Sequence, residues 1–282
     1  MSLTSRKNIK NLLKKYQICP SKRLGQNFLV DKEAVKKIIK AAYLESEDVI
    51  LEIGPGLGTI TQEVAKKVKR VIGIEKDRKM TEILKETLKD CKNVEIVLGD
   101  ILKINPKYHI PYTKYKVIGN LPFYLAAPVI RQFLEAENPA KEMVLMVQKE
   151  VGQRICAKPP DMSILAVSVQ VYARPEIISY ISKKSFWPSP KVDSAIIKIV
   201  PAAPSKKPAI VGNLDGDLFF KIVKAGFSQP RKQLINNLSK ELDLEKEKIQ
   251  NWLLKNNVRP TQRAETLSVE NWINLTKSFK ID

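Results

Sequence analysis

Val49-Ile50-Leu51-Glu52-Ile53-Gly54-Pro55-Gly56-Leu57-Gly58-Thr59 is the stretch on which the fold turns. A short apolar run, Val49–Ile53, gives way to three alternate glycines and then to the helical pattern of Thr59–Lys69. Glycines at a strand-to-helix turn let a ligand approach the backbone closely and meet its amides. Outward from this turn, short apolar runs recur about every twenty residues: Val71–Glu75, Val94–Leu98, Lys116–Gly119 and Met143–Val147. Arg78–Lys89 is a second helical stretch between them, and Val35, Ile38, Ile39 and Ala42 mark an amphipathic helix over residues 33–42. Strands alternating with helices predict an α/β fold with a parallel sheet covered on both faces.

The carboxyl ends of these strands carry the chemistry. The second strand ends at Glu75, where a doubly wound fold places the acid that binds ribose hydroxyls. The third ends at Gly99-Asp100. The glycine spacing is GxGxG rather than the GxGxxG of a dinucleotide site, which disfavours a nicotinamide oxidoreductase. S-adenosylmethionine has no phosphate and a cationic sulfonium, so an acidic edge suits it better. The fourth strand ends in Asn120-Leu121-Pro122-Phe123. The exocyclic N6 of adenine is a poor nucleophile because its lone pair is delocalised into the ring. The side-chain oxygen of Asn120 and the carbonyl of Leu121 are suited to grip its hydrogens, Pro122 fixes the turn, and Phe123 offers a face for an extruded base. The proton can leave after the methyl arrives, so alignment supplies most of the rate.

The net charge is +19, which points to a polyanionic partner, nucleic acid above all. Residues 1–40 hold eleven Lys or Arg against two acids, Asp31 and Glu33, a net of +9 and close to half the total. The expected reading is a basic, RNA-contacting N-terminal arm rather than a mitochondrial presequence, which favours Arg over Lys. Cys19, Cys91 and Cys156 lie far apart and the single histidine, His109, sits in a polar Pro-flanked stretch. A metal site and a disulfide framework are therefore not expected. No apolar run is long enough to span a bilayer, so no membrane partner is expected.

Further along, Leu165, Val167, Val169 and Val171 alternate as in a strand. Glu176–Ser182 and Ser194–Val200 also read as strands, with Phe186-Trp187-Pro188-Ser189-Pro190 a rigid loop between them. Residues 201–217 read as a linker, and the tail is helical by pattern, with Pro230 opening one helix and Asp243 and Ser268 capping two more. Arg231 and Lys232, at the first of these helix starts, form a candidate phosphate clamp.

Taken together these segments resemble the small-subunit ribosomal RNA adenine dimethyltransferases, the family whose loss gives kasugamycin resistance in bacteria. The resemblance runs almost end to end. It is carried by Leu24-Gly25-Gln26-Asn27-Phe28-Leu29, Glu52–Gly58, Gly99-Asp100, Asn120–Phe123, Phe186-Trp187-Pro188-Ser189-Pro190-Lys191-Val192-Asp193-Ser194 and Phe227-Ser228-Gln229-Pro230-Arg231-Lys232. It implies a class I, Rossmann-like S-adenosylmethionine-dependent methyltransferase with a seven-stranded sheet and a small C-terminal helical domain. The domains expected are residues 1–200 for catalysis, 201–217 as linker and 218–282 for RNA or ribosome binding. It implies cofactor contacts at Asn27, Leu29, Gly54, Gly56, Glu75, Asp100, Ile101 and Asn120. The catalytic turn would be Asn120, Leu121, Pro122 and Phe123, with Arg23, Arg231 and Lys232 on RNA. The implied partner is the small ribosomal subunit and its 16S rRNA, met in the cytoplasm by a monomer. Against the alternation, the resemblance implies a helix over Ser163–Ala173, and the helix is the expectation carried forward. The family usually has tyrosine where this chain has Phe123 and often asparagine where it has Tyr124; phenylalanine keeps the stacking face. The alternatives are a large-subunit adenine methyltransferase of the macrolide-resistance type, disfavoured by the Pro-Lys-Val-Asp-Ser segment and the tail, and a non-catalytic assembly or transcription factor, disfavoured by the intact Asn-Leu-Pro-Phe turn and strand-end acids.

Overall fold

A computed structural model describes residues 2–21, 23–104, 114–122, 124–202 and 214–279. His109, Lys22, Phe123 and most of the expected linker lie outside the described residues. The first element is a helix, α1 (Arg6–Lys15), with Ser5 as its N-cap. It is not a free arm. Ile9, Leu12 and Leu13 are buried with Phe28, Leu57, Met80 and Ile83, and Tyr16 donates to Glu86 at 2.5 Å. Three aliphatic side chains on one helical face gain too much from leaving water to stay in it.

A two-residue strand, β1 (Phe28–Leu29), leads into α2 (Lys32–Ala41), whose N-cap Asp31 accepts from the amides of Glu33 and Ala34. Then β2 (Val49–Ile53), α3 (Thr59–Ala65), β3 (Arg70–Glu75), α4 (Arg78–Thr87) and β4 (Val94–Leu98) alternate as the periodicity predicts. All five residues of β2 are buried, the mark of a parallel strand covered on both faces. Next come β5 (Lys116–Asn120), α5 (Ala126–Leu134), β6 (Glu142–Gln148), α6 (Lys149–Ile155), α7 (Ile164–Gln170), β7 (Ala173–Ile181), β8 (Phe186–Trp187) and β9 (Ser194–Pro201).

Among the described residues, seven strands form one sheet in the order β4-β3-β2-β5-β6-β9-β7. The pairs β2–β3, β3–β4, β2–β5 and β5–β6 are parallel, and β9 runs antiparallel to β6. This is the class I methyltransferase architecture expected. The chain winds outward from β2 through β3 to β4 and returns to the other side of β2 as β5. The sheet therefore has a switch point between β2 and β5, and the crevice for a ligand opens at their carboxyl ends. At the opposite end, two buried lysines bind the last carbonyls of α2. Lys116 reaches the carbonyls of Ala42 (3.1 Å) and Tyr43 (2.7 Å) and the Asp48 carboxylate (2.7 Å); Lys198 reaches Ala41 (3.1 Å) and Glu142 (2.9 Å). Cations at a helix C-terminus complement its dipole and its orphan carbonyls.

The chain divides into two compact units, residues 1–152 with 175–201, and 153–174 with 202–282. The expected division at residue 200 is thus corrected for 153–174. Met162, Ala166, Val167 and Val171 share a core with Phe219, Ile222, Leu238 and Trp272. In the same place the helix expected over Ser163–Ala173 is found, against the strand-like alternation at Leu165–Val171: the segment is α7, with Ser163 accepting from the Ala166 amide at 3.2 Å. The residues it buries fall at helical spacing, and the N-cap settles the competition with a strand.

The rest of the second unit is helical: α8 (Gly216–Gly226), α9 (Leu234–Leu242), α10 (Lys246–Lys255) and α11 (Val269–Ser278). Ser268 caps α11 with a reciprocal capping box. Two expected starts move. Pro230 lies in a turn, and α9 begins at Leu234. Asp243 is not an N-cap; it ends α9 in the left-handed conformation at φ 55°. Asp and Asn tolerate that region better than most residues, so the same side chain serves either end of a helix.

Candidate functional site

The glycine turn after β2 builds the floor of the site. Gly56 has φ +59°, and a Cβ there would meet the Phe28 ring at 3.6 Å. Its amide donates to Glu75 Oε2 at 3.0 Å, and the Asp77 amide donates to Glu75 Oε1 at 2.9 Å. The carboxylate that ends β3 is thereby aimed at the turn that ends β2. Burial raises the Glu75 pKa above the usual carboxylate range, and the two amides offset part of that rise. Asp100 follows β4 and accepts from the Leu102 amide (3.1 Å) and from Lys76 (2.7 Å). The Lys76 ammonium holds the Asp100 carboxyl below its ordinary value.

The N-terminal segment forms the roof. Gly25, at φ +64°, brings its backbone against Pro122; a Cβ there would lie 3.0 Å from the Pro122 Cβ. Gln26 bridges two elements, accepting from the Ser21 amide (2.8 Å) and donating to Asp77 at the start of α4 (2.7 Å). The Asn27 carbonyl accepts from Asn120 Nδ2 at 3.3 Å. With its NH2 turned to that carbonyl, Asn120 keeps its side-chain oxygen as an acceptor. The Leu121 amide is bound to the Met146 carbonyl at 2.9 Å, and its own carbonyl has no hydrogen bond among the described residues.

Two clefts result. The first encloses about 950 Å³, part of it open solvent, and is lined by every residue expected to touch a cofactor: Asn27, Leu29, Gly54, Gly56, Glu75, Asp100, Ile101 and Asn120. The second, of about 1560 Å³ and likewise partly open, runs between Asn120–Pro122 and the loop Pro188–Val192. Asn27, Asn120 and Pro122 line both. Leu121 lines the second, Arg23 is exposed beside Leu24 at the first, and Phe123 lies outside the described residues. Arg231 and Lys232 are exposed in the turn before α9 in the second unit. They do not sit on free helix amides as expected: Leu234 and Ile235 donate to the carbonyls of Gln262 (2.7 Å) and Pro260 (3.3 Å).

Sequence reasoning left three parts of the site without a role. Phe186, Pro188, Pro190 and Lys191 line the second cleft. Gln26 ties the roof to α4. Glu52 lines the first cleft with 2% of its surface exposed, and its Oε2 has no hydrogen bond. Burial pushes the Glu52 carboxyl up to about 7, the nearby Thr61 hydroxyl opposing and the Glu75 charge adding to it. A charged residue inside the apolar run Val49–Ile53 was the available signal, since a buried carboxyl calls for a partner. Among the described residues, then, the first cleft is lined by Glu52, Glu75 and Asp100, with Lys76 paired to Asp100, in a protein of net charge +19. Such a lining repels pyrophosphate and suits a ligand with cationic and hydroxyl groups.

The profile of the family described as "Ribosomal RNA adenine dimethylase" matches residues 20–280. A "Ribosomal RNA small subunit methyltransferase A" of Dehalococcoides mccartyi is 40% identical over 268 residues, 93% of this chain and 89% of that protein. The crystal structure of a dimethyladenosine transferase from Plasmodium falciparum superposes with a TM-score of 0.72 at 26% identity, covering 88% of this chain and 95% of that one. The 23S rRNA methyltransferase ErmE shares the fold, with a TM-score of 0.71 at 24% identity over 89% of this chain and 99% of its own.

The Glu52 carboxyl generates a test of the first cleft. Its pKa is raised on folding, so the stability it contributes is full below about pH 4.5 and is lost as the pH rises through about 7. Glu52→Gln should match the parent below that window and exceed it above pH 7 by on the order of 3 kcal/mol. Thermal melts of cofactor-free protein from pH 4 to 8 measure this; parallel curves for the two proteins would show that the carboxyl is not desolvated.

Proposed function

The chain belongs to the ribosomal RNA adenine dimethylase family, and from that premise we propose that it dimethylates N6 of two adjacent adenosines in a hairpin loop near the 3′ end of 16S rRNA. S-adenosylmethionine is the methyl donor and supplies a methyl group held on a positively charged sulfur. The observation that carries the reading is the shared wall of the two clefts, where Asn27, Asn120 and Pro122 face a donor side and an acceptor side at once.

On the donor side, Glu75 offers acceptors for ribose hydroxyls and Asp100 for the adenine amine, with Ile101, Leu29, Gly54 and Gly56 shaping the walls. Glu52 fits a cationic end of the same ligand, because its unpartnered Oε2 and raised pKa both call for a positive neighbour. On the acceptor side, the Asn120 side-chain oxygen and the Leu121 carbonyl accept from the target amine and draw its nitrogen out of conjugation. Both oxygens lack a partner among the described residues, which supports this role. Phe123 would stack on the base. Arg23, Arg231 and Lys232 would hold phosphates.

The finer substrate assignment follows the names of the relatives, which specify the small subunit; the likeness to the 23S enzyme extends to the fold alone. The same names place the target on the small subunit, and we take the acting species to be a monomer that meets it in the cytoplasm, as the family resemblance implies. Among the described residues no helix is long and apolar enough to cross a membrane. The decisive experiment is mass spectrometry of ribosomal RNA fragments after incubating small subunits with the protein and labelled donor. Label on paired adenosines near the 16S 3′ end is expected; label confined to 23S rRNA would select the macrolide-resistance type of reaction.

Three outcomes test the residue assignments. Glu75→Ala and Asp100→Ala should each weaken donor binding by on the order of 1.5–3 kcal/mol, and wild-type affinity in calorimetry for both refutes the donor-side assignment. Phe123→Ala should bind donor normally and methylate subunits more slowly, having lost roughly 1–3 kcal/mol of stacking; undiminished turnover makes Phe123 a packing residue. Arg231→Ala with Lys232→Ala should flatten the slope of log affinity for subunits against log salt by roughly 1.4–1.8 and leave donor affinity alone. An unaltered slope means that those two charges face water.

A further inference from the structure

Much of the cationic surface near the N-terminus is accounted for by internal partners. Lys15 pairs with Glu86 at 2.6 Å, Lys36 with Glu33 at 2.8 Å, and Lys37 donates to Ser179 at 3.0 Å. On or beside α3 and α4, Lys66 pairs with Glu63 at 2.6 Å and Lys85 with Glu82 at 2.9 Å, each at the i,i+3 spacing, while Lys67 and Lys79 are exposed as isolated charges with no ion pair among the described residues. Lys7, Lys10 and Lys14 differ in lying together, three unpaired charges on one face of α1. All three are exposed, and none has an acidic partner among the described residues. No acid occurs anywhere in α1, and its first turn carries Arg6 and Lys7 where the helix dipole favours anions. Like charges at Lys7/Lys10 and Lys10/Lys14 repel across one face. The helix is held in place by its apolar side in spite of its polar one. Such a local conflict, left uncorrected, marks a surface that meets its counter-charge from outside.

That surface continues into the acceptor cleft. Lys10 Nζ lies 5.7 Å from the centroid of the Trp187 ring, and Arg6 Nη2 donates to the Lys184 carbonyl at 2.7 Å. Trp187 packs on the core that buries Ile9 and Leu12. It is followed by Pro188–Val192, which line the second cleft and include the exposed Lys191; Lys183 and Lys184 are exposed on the near side of the same loop. Seven residues of helix span about 10 Å, the rise of about three nucleotides of a strand at about 3.4 Å each.

We infer that Lys7, Lys10 and Lys14 of α1, with Lys184 and Lys191 on the adjoining loop, form a phosphate-binding track that grips the RNA backbone leading away from the target adenosine. The track rests on RNA being the substrate, as proposed above, and adds the surface that aligns it. It differs from a flexible basic arm: the charges are fixed on a docked helix at a set distance from the acceptor cleft. A base presented in that cleft is therefore held by contacts on its flanking strand as well as by its own pocket.

The test compares two triple variants that lose the same charge. Lys7→Gln/Lys10→Gln/Lys14→Gln removes the α1 part of the track; Lys36→Gln/Lys66→Gln/Lys85→Gln removes three paired lysines elsewhere. With small ribosomal subunits as the probe, the α1 variant should flatten the slope of log affinity against log salt by about 2–3, and the other triple should leave it close to wild type. Donor affinity should match wild type in both. The α1 variant should melt at or above the wild-type temperature, because repulsion on the helix is relieved; this separates lost binding from lost folding. Equal slopes for the two triples overturn the track while methylation by wild type stands. Failure of the wild type to methylate ribosomal RNA overturns the substrate assignment and the track with it.

Discussion

The direction in which the Asn120 amide points depends on a carbonyl from near the start of the chain. Asn120 ends β5, at the switch point of the sheet, yet its NH2 is claimed by the Asn27 carbonyl. Reverse that amide and the side chain presents donors, where a target amine needs acceptors. Asn27 is there only because the segment before it is docked. Gln26 is bound to Asp77, Gly25 lies flat on Pro122, and α1 buries Ile9, Leu12 and Leu13 against α4. The chemistry at the end of β5 thus draws on an N-terminal segment that belongs to no strand of the main sheet.

The distribution of charge follows a second constraint. A protein of net charge +19 keeps a cleft lined by three carboxyls. Each is held by a different local device: Glu75 by two amides, Asp100 by Lys76, and Glu52 by burial with little to relieve it. Positive potential outside and acidity inside sort two substrates of opposite charge to two clefts that touch at one wall. A polyanion is drawn to the surface and kept out of the donor cleft, and a cationic ligand is favoured within it.

Much of this was legible in the residues. The apolar runs, the glycine turn and the acids at successive strand ends predict the parallel sheet and the first cleft, because each is a local pattern with one inexpensive conformation. Every residue expected on the donor side lines that cleft. The loop Phe186–Ser194 was noticed as a motif but had no place, since its position on the acceptor cleft follows from the pairing of β8 with β1 across some 160 residues of chain. The alternation at Leu165–Val171 misled because periodicity does not state which partner a segment will bury itself against; the helical unit supplied that partner.

By itself the sequence determined the alternation of strands and helices from β2 to β4, the glycine turn, and the identities of the groups that face the ligands, all set by short-range sterics and by which side chains leave water. The tertiary structure alone decided which cations find a partner far away in the chain. Lys36 and Lys85 have an acid three residues before them, and Lys7, Lys10 and Lys14 do not, but Lys15 finds Glu86 only through the docking of α1 on α4. Lys116 and Lys198, each inside a segment that reads as a strand, are buried on the carbonyls that end α2. A charge seeks the nearest opposite charge in space, and distance in space is what a linear sequence does not contain.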